Sequence, residues 1–318
     1  MSASSNIVRR ALLYVPASSP KMLAKSSSLA VDCVAFDLED SVTIDKKPEA
    51  RANLQRLLAK PVGGNMKDCA VRINAIGSGL AEEDLAAVCG APSLDTLVIP
   101  KVNSASDLHW AADFIQQHRT ANSADGSALK PVTILALIES ARAIVDLQQI
   151  CTATPLLSGL IFAAEDFAQD LSLTRTPSLT EFLYARSAVV TAARAHNLRS
   201  TIDLVCTDFR GDDGTRKMQE ECLNGKGLGF NGKQCIHPSQ IDIAQRCFAP
   251  GEEELEWAVR ILIADEKATK MGKGAWALDG KMIDVPVVKK AKALVERAAA
   301  CDIDVGGKRK QWGTQEPE

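Results

Sequence analysis

Eight short apolar runs recur along this chain of 318 residues, and each is followed by a segment that reads as helix. They fall at residues 11–15, 33–37, 70–73, 96–99, 132–138, 159–162, 200–204 and, more weakly, 229–236. Most are apolar throughout, as parallel strands covered on both faces must be. The gaps carry helical signals. Ser19-Pro20 sets a capping serine before a first-turn proline. Ser104 and Asp107 have the spacing of a capping box. Residues 178–196 bring Leu179, Phe182, Leu183, Ala185, Val189, Val190 and Ala193 close to one helical stripe. An unbroken series of this kind predicts an α/β fold, a (β/α)8 TIM barrel over residues 9–248. An open doubly wound sheet is the other arrangement it allows.

Pro250-Gly251 ends the series. Residues 252–271 then read as helix, a turn rich in glycine follows (Gly272, Gly274, Gly280), and a second helix starts at Pro286. Residues 249–300 are expected to form a C-terminal helical extension with a lid loop, too small for a core of its own. Residues 301–318 are expected to be a polar, frayed tail.

Composition narrows the class. With 46% hydrophobic and 24% charged residues the chain is neither disordered nor collagen-like. Lysine and arginine (37) nearly balance aspartate and glutamate (40), so no broad nucleic-acid surface is implied. No apolar run reaches the ~18 residues of a membrane span. The nine cysteines contain no CxxC pair and mostly sit in apolar runs, which reads as free buried thiols in a reducing compartment. The serine-rich start lacks the apolar stretch of a signal peptide. The expectation is a soluble intracellular protein, cytoplasmic or mitochondrial.

Barrel enzymes carry their chemistry at the carboxyl ends of the strands. Here those ends are polar: Tyr14 on the first, Asp37, Glu39 and Asp40 on the second, Arg72 and Asn74 on the third, and Lys101 on the fourth. Glu139 closes the fifth, Glu165 and Asp166 the sixth, Asp203 lies in the seventh, and Gln234 and His237 end the eighth. Glu139 and Asp166 belong to neighbouring predicted strands ~4.8 Å apart, so both carboxylates can reach one ion. Magnesium typically takes one or two protein carboxylates, and manganese suits the same oxygen donors. A carboxylate pair settled by an arginine or lysine is the alternative. Four histidines without HxxxH or Cys/His spacing argue against zinc. Walker, GxGxxG and GxSxG patterns are absent. Lys21 and Lys25, four apart, share one helical face, either solvated or turned to a ligand's phosphates.

Taken in order, the motifs resemble a family. They are Arg9-Arg-Ala-Leu-Leu-Tyr14-Val-Pro16, Phe36-Asp-Leu-Glu-Asp40-Ser-Val, Val71-Arg72-Ile-Asn74, Ile99-Pro-Lys101, Ile138-Glu139-Ser, Ala164-Glu-Asp166-Phe, Gly232-Lys-Gln-Cys-Ile-His237-Pro and Met282-Ile-Asp284-Val-Pro286. The ordered set, spanning roughly residues 9 to 300, is similar to the HpcH/HpaI aldolase/citrate lyase family. Within it the resemblance points to the citrate lyase beta-like proteins.

That resemblance implies a magnesium-dependent TIM barrel acting on 3-hydroxyacyl-CoA thioesters, assembled as a homotrimer or a larger homo-oligomer. It implies Glu139 and Asp166 as metal ligands and Glu39 and Asp40 as acids near metal-bound water. Arg72 becomes the substrate-binding arginine. Tyr14, Lys21 and Lys25 become contacts to CoA, Ile202-Asp203 a further ligand-contacting step, and Asp284 the catalytic aspartate. Ala17 and Ala163-Ala164 stand where relatives commonly carry glycine, and an added methyl restricts close approach to a ligand. The implied reaction splits citramalyl-CoA, malyl-CoA or a close analogue reversibly into acetyl-CoA and pyruvate or glyoxylate. Arg72→Ala and Asp284→Ala are expected to lose activity while folding normally. The alternatives are a CoA-independent metal aldolase of the same superfamily and a subunit of a multicomponent citrate lyase.

Overall fold

The computed structural model describes residues 7–121 and 129–318. The chain divides into two compact units, Arg9–Phe248 and Ala249–Glu318, the latter including residues 7 and 8.

In the first unit, strands β1 (Ala11–Pro16), β2 (Cys33–Asp37), β3 (Asp68–Arg72), β4 (Thr96–Ile99), β5 (Thr133–Ile138), β6 (Leu157–Phe162), β7 (Ser200–Asp203) and β8 (Gly232–Cys235) pair in parallel and close, β8 returning to β1. The closed barrel excludes the open-sheet alternative. Helices α1 (Pro20–Ser26), α2 (Lys47–Leu58), α3 (Ala81–Val88), α4 (Ala105–Ala121), α5 (Ala141–Val145), α6 (Leu147–Thr152), α7 (Ala164–Leu171), α8 (Leu183–Ala195), α9 (Gly211–Leu228) and α10 (Ile241–Phe248) fill the connections. Ser19 caps α1 as its sequence suggests, its hydroxyl accepting from Met22 N. Asp107 accepts from the main-chain N–H of Asn103 and of Ser104, both at 2.9 Å, at the start of α4.

The strands read as apolar throughout because each faces two cores. Leu13, Val34, Phe36, Val71, Leu97, Ile134 and Leu160 join the large cluster shared with the helices. Their neighbours Leu12, Cys33, Ala35, Ala70, Val98, Leu135, Leu137, Ile161 and Ile202 fill the barrel interior. Gly159 is required there, because a Cβ would collide with the Ser200 carbonyl. The amino-terminal end of the barrel is plugged by Arg9. Its guanidinium donates to Asp68 (2.5 Å), Thr96 (2.9 Å), Ser200 (2.9 Å), Ser158 (3.1 Å) and Thr133 (3.3 Å), tying together β3 to β7.

The eighth strand is shorter than expected. Gly229, at φ 101°, closes α9 in a left-handed cap, so pairing begins only at Gly232.

The second unit differs from the expected arm. Helices α11 (Glu252–Lys270), α12 (Val285–Ala300) and α13 (Val305–Gln311) pack together, and Ala258, Ile261, Ala264, Trp276, Leu278 and Ala291 form an apolar cluster within the unit. The glycine-rich segment contains an antiparallel hairpin, β9 (Trp276–Leu278) and β10 (Lys281–Ile283). Asp279 (φ 49°) and Gly280 (φ 70°) supply the two left-handed residues of its turn. Residues 301–318 are not a bare tail. They include α13, and main-chain hydrogen bonds run both ways between Ala277 and Glu318, at 3.2 and 2.9 Å.

Candidate active site

Strand parity decides which polar ends share the mouth. Side chains two residues apart point the same way. Tyr14, Asp37, Arg72 and Glu139 each lie two beyond an interior residue, namely Leu12, Ala35, Ala70 and Leu137. Gln234 pairs with Leu12 across β8 and β1. All five line one cavity of about 400 Å³ at the carboxyl end of the barrel, together with Asp166.

Arg72 is the hub of one side. Its Nε and Nη2 each donate to Asp37 at 2.7 Å, while Nη1 lies 2.9 Å from Glu39 and 3.1 Å from Asp40. The guanidinium also stacks over the Tyr14 ring, 4.6 Å from its centroid. Burial alone would raise the Asp37 carboxyl, but the hydrogen bonds and charge of Arg72, with further bonds from Ser41 and Glu39, hold it below the ordinary range. Glu39 is different. Burial pushes it up to about 7 despite the opposing pull of Arg72. Tyr14 donates to Gln234 at 2.9 Å, and burial raises its phenol well above the usual value. Gln234 is itself fixed by donating to the carbonyls of Phe162 and Asp203.

Glu139 and Asp166 meet on the other side. Glu139 follows β5 and is buried; Asp166 is the third residue of α7, beyond the adjacent β6, where the helix amino terminus favours a carboxylate. Both side chains line the same cavity, near enough for Asp166 to act on the Glu139 carboxyl. Burial, then Asp166, push Glu139 up to about 8. The Lys101 N–H donates to Glu139 Oε1. The Lys101 ammonium lies 3.5 Å from Glu39; burial opposes its charge, but Glu39, Asp166, Asp40 and Glu139 outweigh it and raise its pKa.

Two like-charged oxygen donors so close suit a hard dication, which neutralises both and takes its other ligands from water and substrate. Among the described residues, no group of three or more His, Cys, Asp and Glu side chains is placed to cage an ion. A carboxylate pair open to the cavity is therefore the donor set to consider.

Several expected residues lie elsewhere. Ile202 fills the barrel interior and is fully buried. Asp203, one residue on, must point outward by parity, and its carboxylate is held by Arg186 at 3.0 and 2.7 Å. Neither lines the cavity, whereas Val205, two residues on, does. Lys21 and Lys25 are both exposed on α1. Asp284 belongs to the second unit, where its carboxylate accepts from Val287 N at 3.2 Å and caps α12. Glu165 lines the same cavity as Asp166, but its carboxylate pairs with Arg175. The sequence reading named Asp37 and Lys101 only as polar strand ends. The inward parity of Asp37 was the available signal for its role.

A larger cavity, about 750 Å³, lies beside Thr207–Arg210. Four of the charges around it form two pairs, Arg216 with Asp213 and Lys217 with Asp208.

The HpcH/HpaI aldolase/citrate lyase family matches residues 10–238. The chain is 35% identical to the mitochondrial citramalyl-CoA lyase of Homo sapiens, over 92% of this chain and 86% of that protein. It is also 35% identical to the citrate lyase subunit beta of Haemophilus influenzae, over 92% of this chain and 97% of that one. Among solved structures, the CitE protein of Mycobacterium tuberculosis in complex with magnesium, acetoacetate and coenzyme A superposes with a TM-score of 0.71 at 31% identity. That alignment covers 92% of this chain and 99% of the other.

Proposed function

The chain belongs to the HpcH/HpaI aldolase/citrate lyase family, and on that footing we propose that it is a magnesium-dependent carbon–carbon lyase of CoA esters. The substrate we assign is citramalyl-CoA, split reversibly into acetyl-CoA and pyruvate. The observation that carries this reading is the convergence of Glu139 and Asp166 on one cavity that also holds Arg72.

Cleavage breaks the bond between the second and third carbons of the acyl chain. The hydroxyl on the third carbon gives its proton to water beside Glu39 and Asp40 and becomes the keto group, and the bonding pair passes to the second carbon as a thioester enolate. Glu139 and Asp166 would hold the metal, which supplies Lewis-acid polarisation of the substrate's oxygens when bound. Arg72 stabilises the enolate oxygen as negative charge grows on it. Asp37 keeps that guanidinium aimed, and the Tyr14 ring supports it from one face. Asp284 exchanges the proton at the second carbon. Glu39 and Asp40 hold water beside the metal carboxylates. Lys21 and Lys25, exposed and four apart on α1, meet the CoA phosphates.

Two features favour citramalyl-CoA over malyl-CoA. One is the identity with the human citramalyl-CoA lyase. The other is the wall of Leu137, Ala163, Val205 and Ile236 around the polar site, which suits the methyl that pyruvate retains and glyoxylate lacks. A homo-oligomer, a trimer or larger, is part of the same proposal.

The test incubates the purified chain and magnesium with citramalyl-, malyl-, methylmalyl- and citryl-CoA, following release of acetyl- or propionyl-CoA. Citramalyl-CoA should turn over fastest. The likeness to a citrate lyase beta subunit favours a second reading. Under it no free CoA ester is cleaved until partner subunits are added.

A further inference from the structure

Lys101 has two features that the reaction above does not use. It follows β4 with φ at 52°, the left-handed region that a residue bearing a side chain seldom enters. That turn aims its main-chain N–H at one oxygen of Glu139. Its half-exposed ammonium meanwhile lies 3.5 Å from Glu39 and within electrostatic reach of Asp40, Glu139 and Asp166. One residue thus touches one candidate metal carboxylate, Glu139, through its backbone and faces the surrounding acids through its side chain.

We propose that Lys101 is a positioning residue that sets how tightly the mouth holds a divalent cation. Its N–H gives the Glu139 carboxylate a single orientation, and its ammonium, a resident counter-charge for the acids, opposes the incoming ion. The proposal rests on the metal reading above. The two roles separate chemically, because only the second depends on the side chain. Replacing the ammonium with a neutral group removes a fixed repulsion and leaves the N–H in place. Proton uptake by a nearby acid can offset only part of that change. Since charges of this kind interact through partly exposed, screened space, the gain should shrink as salt rises.

The experiment is calorimetric titration with Mn2+ alone, at low ionic strength, of the full chain and of Lys101→Gln, Lys101→Arg and Glu139→Gln. Lys101→Gln should bind Mn2+ more tightly, by roughly 3- to 30-fold for a charge several ångströms from the ion. The gain should fall away in high salt, and Lys101→Arg, which keeps the charge, should bind as the parent does. Lys101→Gly adopts positive φ without strain, removes the same ammonium, and stands in should the glutamine variant fail to fold. Affinity of the glutamine or glycine variant within twofold of the parent, or weaker, overturns the role of Lys101 while leaving the metal reading intact. A parent protein that binds no Mn2+ overturns both.

Discussion

The guanidinium of Arg72 meets the carboxylate of Asp37 through two parallel hydrogen bonds, Nε to Oδ1 and Nη2 to Oδ2, each 2.7 Å long. The carboxylate is fully buried and the guanidinium nearly so. Sequence alone suggests that Arg72→Ala would fold normally, but the pair changes that expectation. Removing one partner strands the other charge, which typically costs ~3–5 kcal/mol. Both Arg72→Ala and Asp37→Ala should therefore lower the urea midpoint as well as activity. Loss of the Arg72 donor alone should reduce kcat by ~10²–10³. Arg72→Lys should recover part of the stability and little of the rate, because an ammonium cannot reproduce the two-pronged geometry. Denaturation curves beside steady-state rates check this.

At the opposite end of the barrel, Arg9 should be a purely structural counterpart. It is buried, paired with Asp68 and bonded to hydroxyls from four further strands. Arg9→Met should destabilise by about 3–5 kcal/mol through the uncompensated Asp68. At temperatures where the variant stays folded, its kcat/KM should match the parent. A large drop in kcat/KM with unchanged stability would show that the two ends of the barrel are coupled.

Acidity gives a third expectation. Glu139 is raised from 4.5 to about 8 and Glu39 to about 7, both chiefly by burial. Between about 4.5 and 8 the folded state thus binds more protons than the unfolded one, so this contribution to stability declines as pH rises through that window. With a chelator present, Tm should fall from pH 5 to pH 8. Saturating magnesium replaces the proton and should flatten or reverse the trend. Glu139→Gln should flatten the chelator curve as well.

Lys21 and Lys25 test the CoA assignment. Reversing either charge, Lys21→Glu or Lys25→Glu, should raise KM for a CoA ester and leave kcat nearly unchanged, the mark of lost uniform binding. The rise should shrink with added salt. Unchanged KM in both variants would favour the CoA-independent aldolase.

The barrel was legible because it needs strands apolar on both faces, and those runs stand out in the sequence. The site was half legible. Polar strand ends mark a mouth, but a list of ends does not say which side chains enter it. Parity does: Asp203 sits one step from the interior residue Ile202 and so turns outward to Arg186, while Asp37 sits two steps from Ala35 and turns inward. The hairpin at 276–283 carried its own signal, the turn dipeptide Asp279-Gly280, which the count of glycines obscured. The left-handed turn at Lys101 had no such marker, because neither glycine nor asparagine announces it. The partner its main-chain N–H meets, Glu139, lies 38 residues further along the chain.

One measurement reaches the centre of the account: acetyl-CoA release from citramalyl-CoA as magnesium is titrated into chelator-treated protein, for the parent, Glu139→Gln and Asp166→Asn. The account expects no release without magnesium, saturable activation of the parent, and little or no activation of either variant although both fold. Equal turnover with and without the ion, or variants activated like the parent, would contradict it.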